Sequence, residues 1–391
     1  MFVVLRMARK VPGLLVAVFA LLWLSACDVT LPGGGGPRID TSRPVPVALL
    51  VPRGSAAATD AVLAQSLENA ARLAMSELQG VTIDLRVYAT GADAARSAEV
   101  ARQAVQEGAK ILLGPVYAAN ANAAGLAVAP RGVNVLAFSN NPDIAGGNVF
   151  ILGNTFQNTA NRLVAHAAAQ GKTPILIVHG KDAAESAGAA AIERAIARAG
   201  GSPAGAVGFE LSQKGVINAL PEIARAARSS GARSIFMTSG TTGALPLLAG
   251  LLPENGIKPA DYQYIGLQRW DIPASALSMT GLQGGWFALP DPNLQGQFAS
   301  RYQAAYGEQP HPIAGLAYDG IAAIGALVRA GKADALTVEA LTQPSGFVGV
   351  NGIFRLLSDG TNERGLAVAQ IQDKQVVVID PAPRSFGGAG L

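Results

Sequence analysis

The sequence predicts an α/β protein of two doubly wound, Rossmann-like lobes, and three observations carry that reading. Short apolar runs of strand character alternate with helix-period segments from Val45 onward. The rhythm restarts after Asn154 and yields a second unit of similar size that is not a sequence repeat. A β-rich stretch follows the last long helices. Strands separated by helices form a parallel sheet covered on both faces, and a crevice opens at the carboxyl ends of its strands.

Val45 to Val51 reads as a buried strand, because seven apolar residues follow one another without a charge. Thr59 or Asp60 then caps a helix whose apolar residues Leu63, Leu67, Ala70, Ala74 and Leu78 recur at helical spacing. Val81 to Tyr88 alternates as a strand, Asp93 to Glu107 is helical, and Lys110 to Leu113 is a strand stopped by Gly114-Pro115. Ala121 to Ala129 is a short helix and Val133 to Phe138 the next strand. The second unit pairs helix 157–170 with strand 174–178, helix 185–199 with strand 205–209, helix 216–230 with strand 234–237, and helix 243–252 with strand 262–265. Strand 284–289, helices 294–306 and 314–330, and strands over 352–357, 365–371 and 375–379 complete the pattern.

The first residues have the order of a signal peptide: Arg6, Arg9 and Lys10, then 14 apolar or small residues from Val11 to Leu24, then small residues before a cysteine. Leu24-Ser25-Ala26-Cys27 resembles a bacterial lipobox, which makes residues 1–26 a lipoprotein leader and Cys27 the lipidated start of the mature chain. Cys27 is the only cysteine, so disulfides, thiolate metal sites and a cysteine nucleophile are excluded. A chain that is 50% hydrophobic can hold itself together by burial instead. The formal charge of +3 falls to zero once Arg6, Arg9 and Lys10 leave, which removes the argument for a nucleic-acid partner. Residues 27–43, with Gly33 to Gly36 between prolines, read as a flexible tether. It would hold the body roughly 20–25 Å from the lipid. Residues 382–391 read as a disordered glycine-rich tail.

Several motifs in order resemble the type I periplasmic binding proteins, in the leucine/isoleucine/valine-binding branch. They are Leu113-Gly114-Pro115, Phe138-Ser139-Asn140-Asn141-Pro142, the Phe298, Tyr302, Tyr306-Gly307 series, and Pro312, Gly315, Tyr318-Asp319-Gly320. Gly349, Gly352 and Phe354, then Ser358-Asp359-Gly360 and Arg364, complete the set, over roughly 44–380. The resemblance implies three crossovers, with one lobe at 44–157 plus 287–349 and the other at 158–286 plus 350–381. The lipobox and tether resemble a lipoprotein subgroup of that family, the penicillin-binding-protein activators. On that reading the chain is a periplasmic, membrane-anchored activator of a bifunctional penicillin-binding protein in peptidoglycan synthesis. The alternative is a solute-binding lipoprotein that hands an amino acid or related polar metabolite to an ABC permease. Asp28 resembles an inner-membrane retention signal, whereas the activators sit in the outer membrane, so both membranes stay open.

By the same resemblance, the loops after the third and fourth strands would hold a ligand carboxylate. They offer Tyr117, Asn120, Ser139 and Asn140, with alanines at 118 and 119 where hydroxyls are expected. The second lobe would hold an amino group. Its loop carries Ser239, Thr241 and Thr242 but no carboxylate, leaving Asp182 and Asp271 as substitutes. Arg269, Trp270 and Asp271 follow a strand and are expected to face the cleft, either as a clamp for a polar ligand or as an inter-lobe ion pair with Trp270 as packing. Tyr318 and Asp319 lie early in a helix and read as structural.

Signals of catalysis fail. Gly171-Lys172-Thr173 resembles the end of a phosphate loop, but His166 stands where its first glycine belongs. No G-x-S-x-G elbow occurs, and His166, His179 and His311 have no metal-like spacing. His179 beside Asp182 is the one remaining dyad. The sequence calls for no cofactor and no metal, and it reads as non-enzymatic.

Overall fold

The computed structural model describes residues 36–387. The leader and Cys27 lie outside the described residues. The first sheet is wholly parallel, in the order β2-β1-β3-β4-β5. Its strands are β1 Val45–Val51, β2 Ile83–Ala89, β3 Ile111–Leu113, β4 Asn134–Ala137 and β5 Val149–Ile151. Side chains of β1 alternate between two cores, which is why its sequence is apolar throughout. Val47, Leu49 and Val51 meet helices α1 (Ala58–Glu77) and α9 (Gly315–Arg329) through Leu67, Ile321 and Ile324. Ala48 and Leu50 meet α2 (Ala94–Gln106) and α3 (Ala118–Val128) through Val100, Ala101 and Ala124.

The second sheet has seven strands, in the order β15-β14-β10-β9-β8-β6-β7. Five are parallel: β6 Ile175–Gly180, β7 Gly205–Phe209, β8 Ser234–Met237, β9 Gln263–Gly266 and β10 Trp286–Leu289. An antiparallel pair, β14 Ala367–Gln372 and β15 Gln375–Asp380, extends it beyond β10. Its helices are α4 Phe156–Ala169, α5 Ala183–Arg198, α6 Gln213–Ser229 and α7 Leu245–Glu254. Helix α8 (Pro292–Tyr306) returns to the first lobe, where Phe298 and Tyr302 are buried. A three-stranded antiparallel ribbon, β11 Phe347–Gly349, β12 Gly352–Leu356 and β13 Asn362–Arg364, follows α9.

The structure corrects four expectations. Phe347, Val350, Phe354 and Leu356 of the ribbon pack into the first lobe's core, so 350–364 sits with the first lobe rather than the second, while β10 lies wholly in the second sheet. Ala57, not Thr59 or Asp60, stands at the N-cap of α1, and it offers no side-chain cap. The tether ends before residue 43, because the apolar Ile39 is buried in the first core and its amide donates to the Ala333 carbonyl at 2.8 Å. The expected tail is packed at its start. Ala382 is buried in the second lobe's core, and the Phe386 ring lies 4.7 Å from the Arg355 guanidinium on the ribbon.

Candidate functional site

The carboxyl ends of both parallel sheets point toward a shared cleft, and the loops there form its rim. On the first wall, Gly114 ends β3 at φ +89°, with the Leu50 carbonyl where a Cβ would sit, so only glycine fits. Tyr117 starts α3 and donates its hydroxyl to Asp60 Oδ1 at 2.5 Å, a bond that, with partial burial, raises its own pKa. Asn120 is buried, and its Nδ2 has no partner among the described residues. Ser139 Oγ accepts from the Asn141 amide at 3.1 Å, while Asn140 is exposed.

The second wall is engaged mostly from within, although the buried Asp182 Oδ2 has no partner among the described residues. Asp182 caps α5, accepting from the amides of Ala184 at 2.9 Å and Glu185 at 3.1 Å. Glu185 is a carboxylate that sequence reasoning missed. Its buried oxygens accept from the Gly180 amide at 2.6 Å, the Thr238 hydroxyl at 2.8 Å and the Ser239 hydroxyl at 2.8 Å. Thr241 donates to the Ile272 carbonyl at 2.6 Å, and Thr242 is exposed. Arg269 grips Asp271 through two bonds, Nε to Oδ1 at 2.9 Å and Nη2 to Oδ2 at 2.5 Å. Trp270 does not face the cleft. Its indole is fully buried in the second core, tilted beside Phe287, with Gly266 and Gly285 bare to make room for it. The histidine dyad does not form either: His179 Nδ1 contacts the Gly180 carbonyl, and no hydrogen bond joins His179 to Asp182 among the described residues.

Between the lobes, where the chain crosses, lies a cavity of about 430 Å³. Of the sequence-predicted residues it gathers Asn140 and Arg269; Tyr117, Asn120, Ser139, Asp182, Ser239, Thr241, Thr242 and Asp271 are not in its lining. Asn154, Thr155, Thr159, Gln268 and Gln295 add polar groups from scattered segments. Phe156, Leu267, Ile313, Leu316 and Leu366 supply an apolar wall.

The floor is rigid. Arg364 is buried, donates from Nε to the Leu152 carbonyl at 2.8 Å and lies 3.2 Å from Asp319 Oδ2. Asp319 also accepts from the Val350 amide at 2.7 Å and Asn351 Nδ2 at 3.0 Å, so its role is a buried ion pair rather than helix capping. Burial pushes the Asp319 carboxyl up and the Arg364 guanidinium down, each against the pull of its partner. Asn362 ties the crossover together, donating to the carbonyls of Ile151 at 2.7 Å and Gly153 at 2.9 Å and accepting from Asn158 at 2.6 Å.

Two parallel-sheet lobes joined by crossing segments over a shared cavity define the class, a two-lobed periplasmic-binding fold. Residues 44–375 match the periplasmic binding protein family, and the chain belongs to it. Among solved structures it resembles a protein assigned as a branched-chain amino acid ABC transporter from Rhodospirillum rubrum, with TM-score 0.73 and 18% identity, covering 86% of this chain and all (100%) of that one. An ABC transporter substrate-binding protein from Desulfitobacterium hafniense in complex with Leu gives TM-score 0.63 and 18% identity, over 86% of this chain and 100% of that one. A branched-chain amino acid ABC transporter periplasmic ligand-binding protein from Burkholderia xenovorans LB400 gives 0.67 and 19%, over 88% and 97%. These likenesses concern the fold. No curated protein matches the chain.

Proposed function

We propose that the chain is the solute-binding component of an ABC transporter, capturing a small organic solute between its lobes and presenting it to a permease. The observation that carries this reading is the inter-lobe cavity. Both lobes line it, its volume suits a metabolite, and it mixes an apolar wall with a few convergent polar groups. The transporter assignments of its structural relatives support the same reading. Lipid at Cys27 would keep the protein beside its permease. Calorimetry of the mature protein against a metabolite panel tests the proposal. One solute should bind, and Arg269→Ala should weaken it at least about tenfold, the loss of one charge-assisted bond. Binding unaffected by that change would move the site elsewhere.

A second reading, activation of a penicillin-binding protein, draws on a different observation. The rim loops engage their own side chains, and alanines stand at 118 and 119. It requires an outer docking surface and no solute. Capture of a peptidoglycan synthase by a protein that binds nothing in the panel would favour it.

A further inference from the structure

The solute's chemistry can be read from which polar groups around the cavity are open and which are engaged. This inference rests on the solute-binding reading above. Four carboxylates stand at the cleft, and none of them lines the cavity. Asp60 Oδ1 takes the Tyr117 hydroxyl and Asp182 Oδ1 two amides of its own helix; Asp182 Oδ2 is buried without a partner among the described residues but lies outside the cavity lining. Glu185 holds one amide and two hydroxyls, and both oxygens of Asp271 are bound by Arg269. An ammonium group entering the cavity would therefore lose its water without gaining a charged acceptor, which is the costly way to bury a cation.

Donors are in the opposite condition. Arg269 lines the cavity and binds Asp271 through Nε and Nη2, leaving Nη1 without a hydrogen bond among the described residues. Asn140, on the facing wall, is exposed, and its side-chain amide has no partner among the described residues. Thr159 accepts from Asn154 and keeps its own hydroxyl hydrogen for another acceptor. Asp271 offsets the charge of Arg269 but stays outside the lining, so the cavity meets the cation and not its counter-ion. Behind these donors lie Phe156, Ile313 and Leu316.

We infer that the cavity takes a small carboxylate with an apolar body and no amino group, such as a branched or aromatic 2-oxo acid. Its carboxylate would accept from Arg269 Nη1 and Asn140 Nδ2, while the hydrocarbon end packs on the apolar wall. An amino acid of the same shape differs only in placing an ammonium in a cavity that no carboxylate lines.

Matched pairs test this on the detergent-solubilised full-length lipoprotein by titration calorimetry: 4-methyl-2-oxopentanoate against leucine, and phenylpyruvate against phenylalanine. The oxo acid of at least one pair should bind at least about 30-fold more tightly than its amino acid, the discrimination expected from one unpaired buried charge. Arg269→Gln should weaken the bound oxo acid at least about tenfold, with the melting temperature of the free protein held within a few degrees. An amino acid that binds as tightly as its oxo acid, or more tightly, overturns the inference and leaves the solute-binding reading standing. No binding by either class, in these pairs and across the wider panel, overturns both.

Discussion

The rim loops and the lining of the cavity draw on similar polar residue types, yet their hydrogen-bonding groups are in different states. At the rim, Tyr117, Asp182, Glu185, Ser239 and Thr241 bind one another or the nearby backbone. In the cavity, the lining residue Arg364 is locked by Asp319, while Asn140 and Arg269 keep donors open. A hydroxyl or carboxylate at a strand end is thus not a ligand contact by position alone. What matters is whether its hydrogen-bonding capacity is already used, because an engaged group must be released from its partner before it can serve a ligand.

Three changes test this contrast, in descending order of effect. Arg364→Met leaves the Asp319 carboxylate buried and unpaired, and should cost about 3–5 kcal/mol in denaturant unfolding. Pairing it with Asp319→Leu should recover much of that loss; if the double variant is no better than the single, the pair is not the element that holds the floor. Glu185→Gln sets an amide nitrogen against groups that now donate to a carboxylate, and should cost about 1–3 kcal/mol in the same measurement. Solute affinity should stay within about threefold, as expected of a site with no shared partner. A large affinity loss would return the rim to the binding site.

The smallest effect concerns pH. Burial alone would raise the Asp380 carboxyl, but hydrogen bonds from Arg162 and His166 and their charges outweigh it and hold the group below its ordinary value of 3.8. A carboxylate depressed in the folded state stabilises it above the unfolded pKa, and that contribution disappears as pH falls through the folded value. The C-terminal strand should therefore loosen only below about pH 4. Trp286 reports it, since its ring packs edge-on to His166 at 4.8 Å. Asp380→Asn should abolish the transition.

Long, periodic elements were legible in the sequence. The bounds of β1, β7 and β8 coincide with those expected, and the alternation of strands and helices implied both sheets. Strands β5, β11 and β13 were not, because three residues are too few to show a period and none has the Gly-Pro stop that marks the equally short β3. Glu185 escaped notice because its two hydroxyl donors lie 53 and 54 residues away in the chain, while its own position reads as an ordinary first-turn acid. Of the two roles open to Trp270, the structure shows packing, and the sequence could not choose between them for the converse reason. Charged neighbours on both sides suggest a surface loop, whereas the bare Gly266 and Gly285 that admit its indole carry no side-chain signal. The cavity's polar residues come from segments as far apart as Asn140 and Gln295, so no local motif marks them.

The end of the chain does more than finish β15. Arg162 binds Asp380 at 2.9 Å and the Pro381 carbonyl at 3.2 Å on the second lobe, and six residues past Asp380 the Phe386 ring rests on Arg355 of a ribbon packed into the first. Any hinge motion must stretch or slide this short span. A fluorophore, affinity handle or fusion partner placed directly after it would be coupled to lobe movement. For the engineer this makes the C-terminus a natural place to read a sensor from, and a poor place to attach anything meant to be inert.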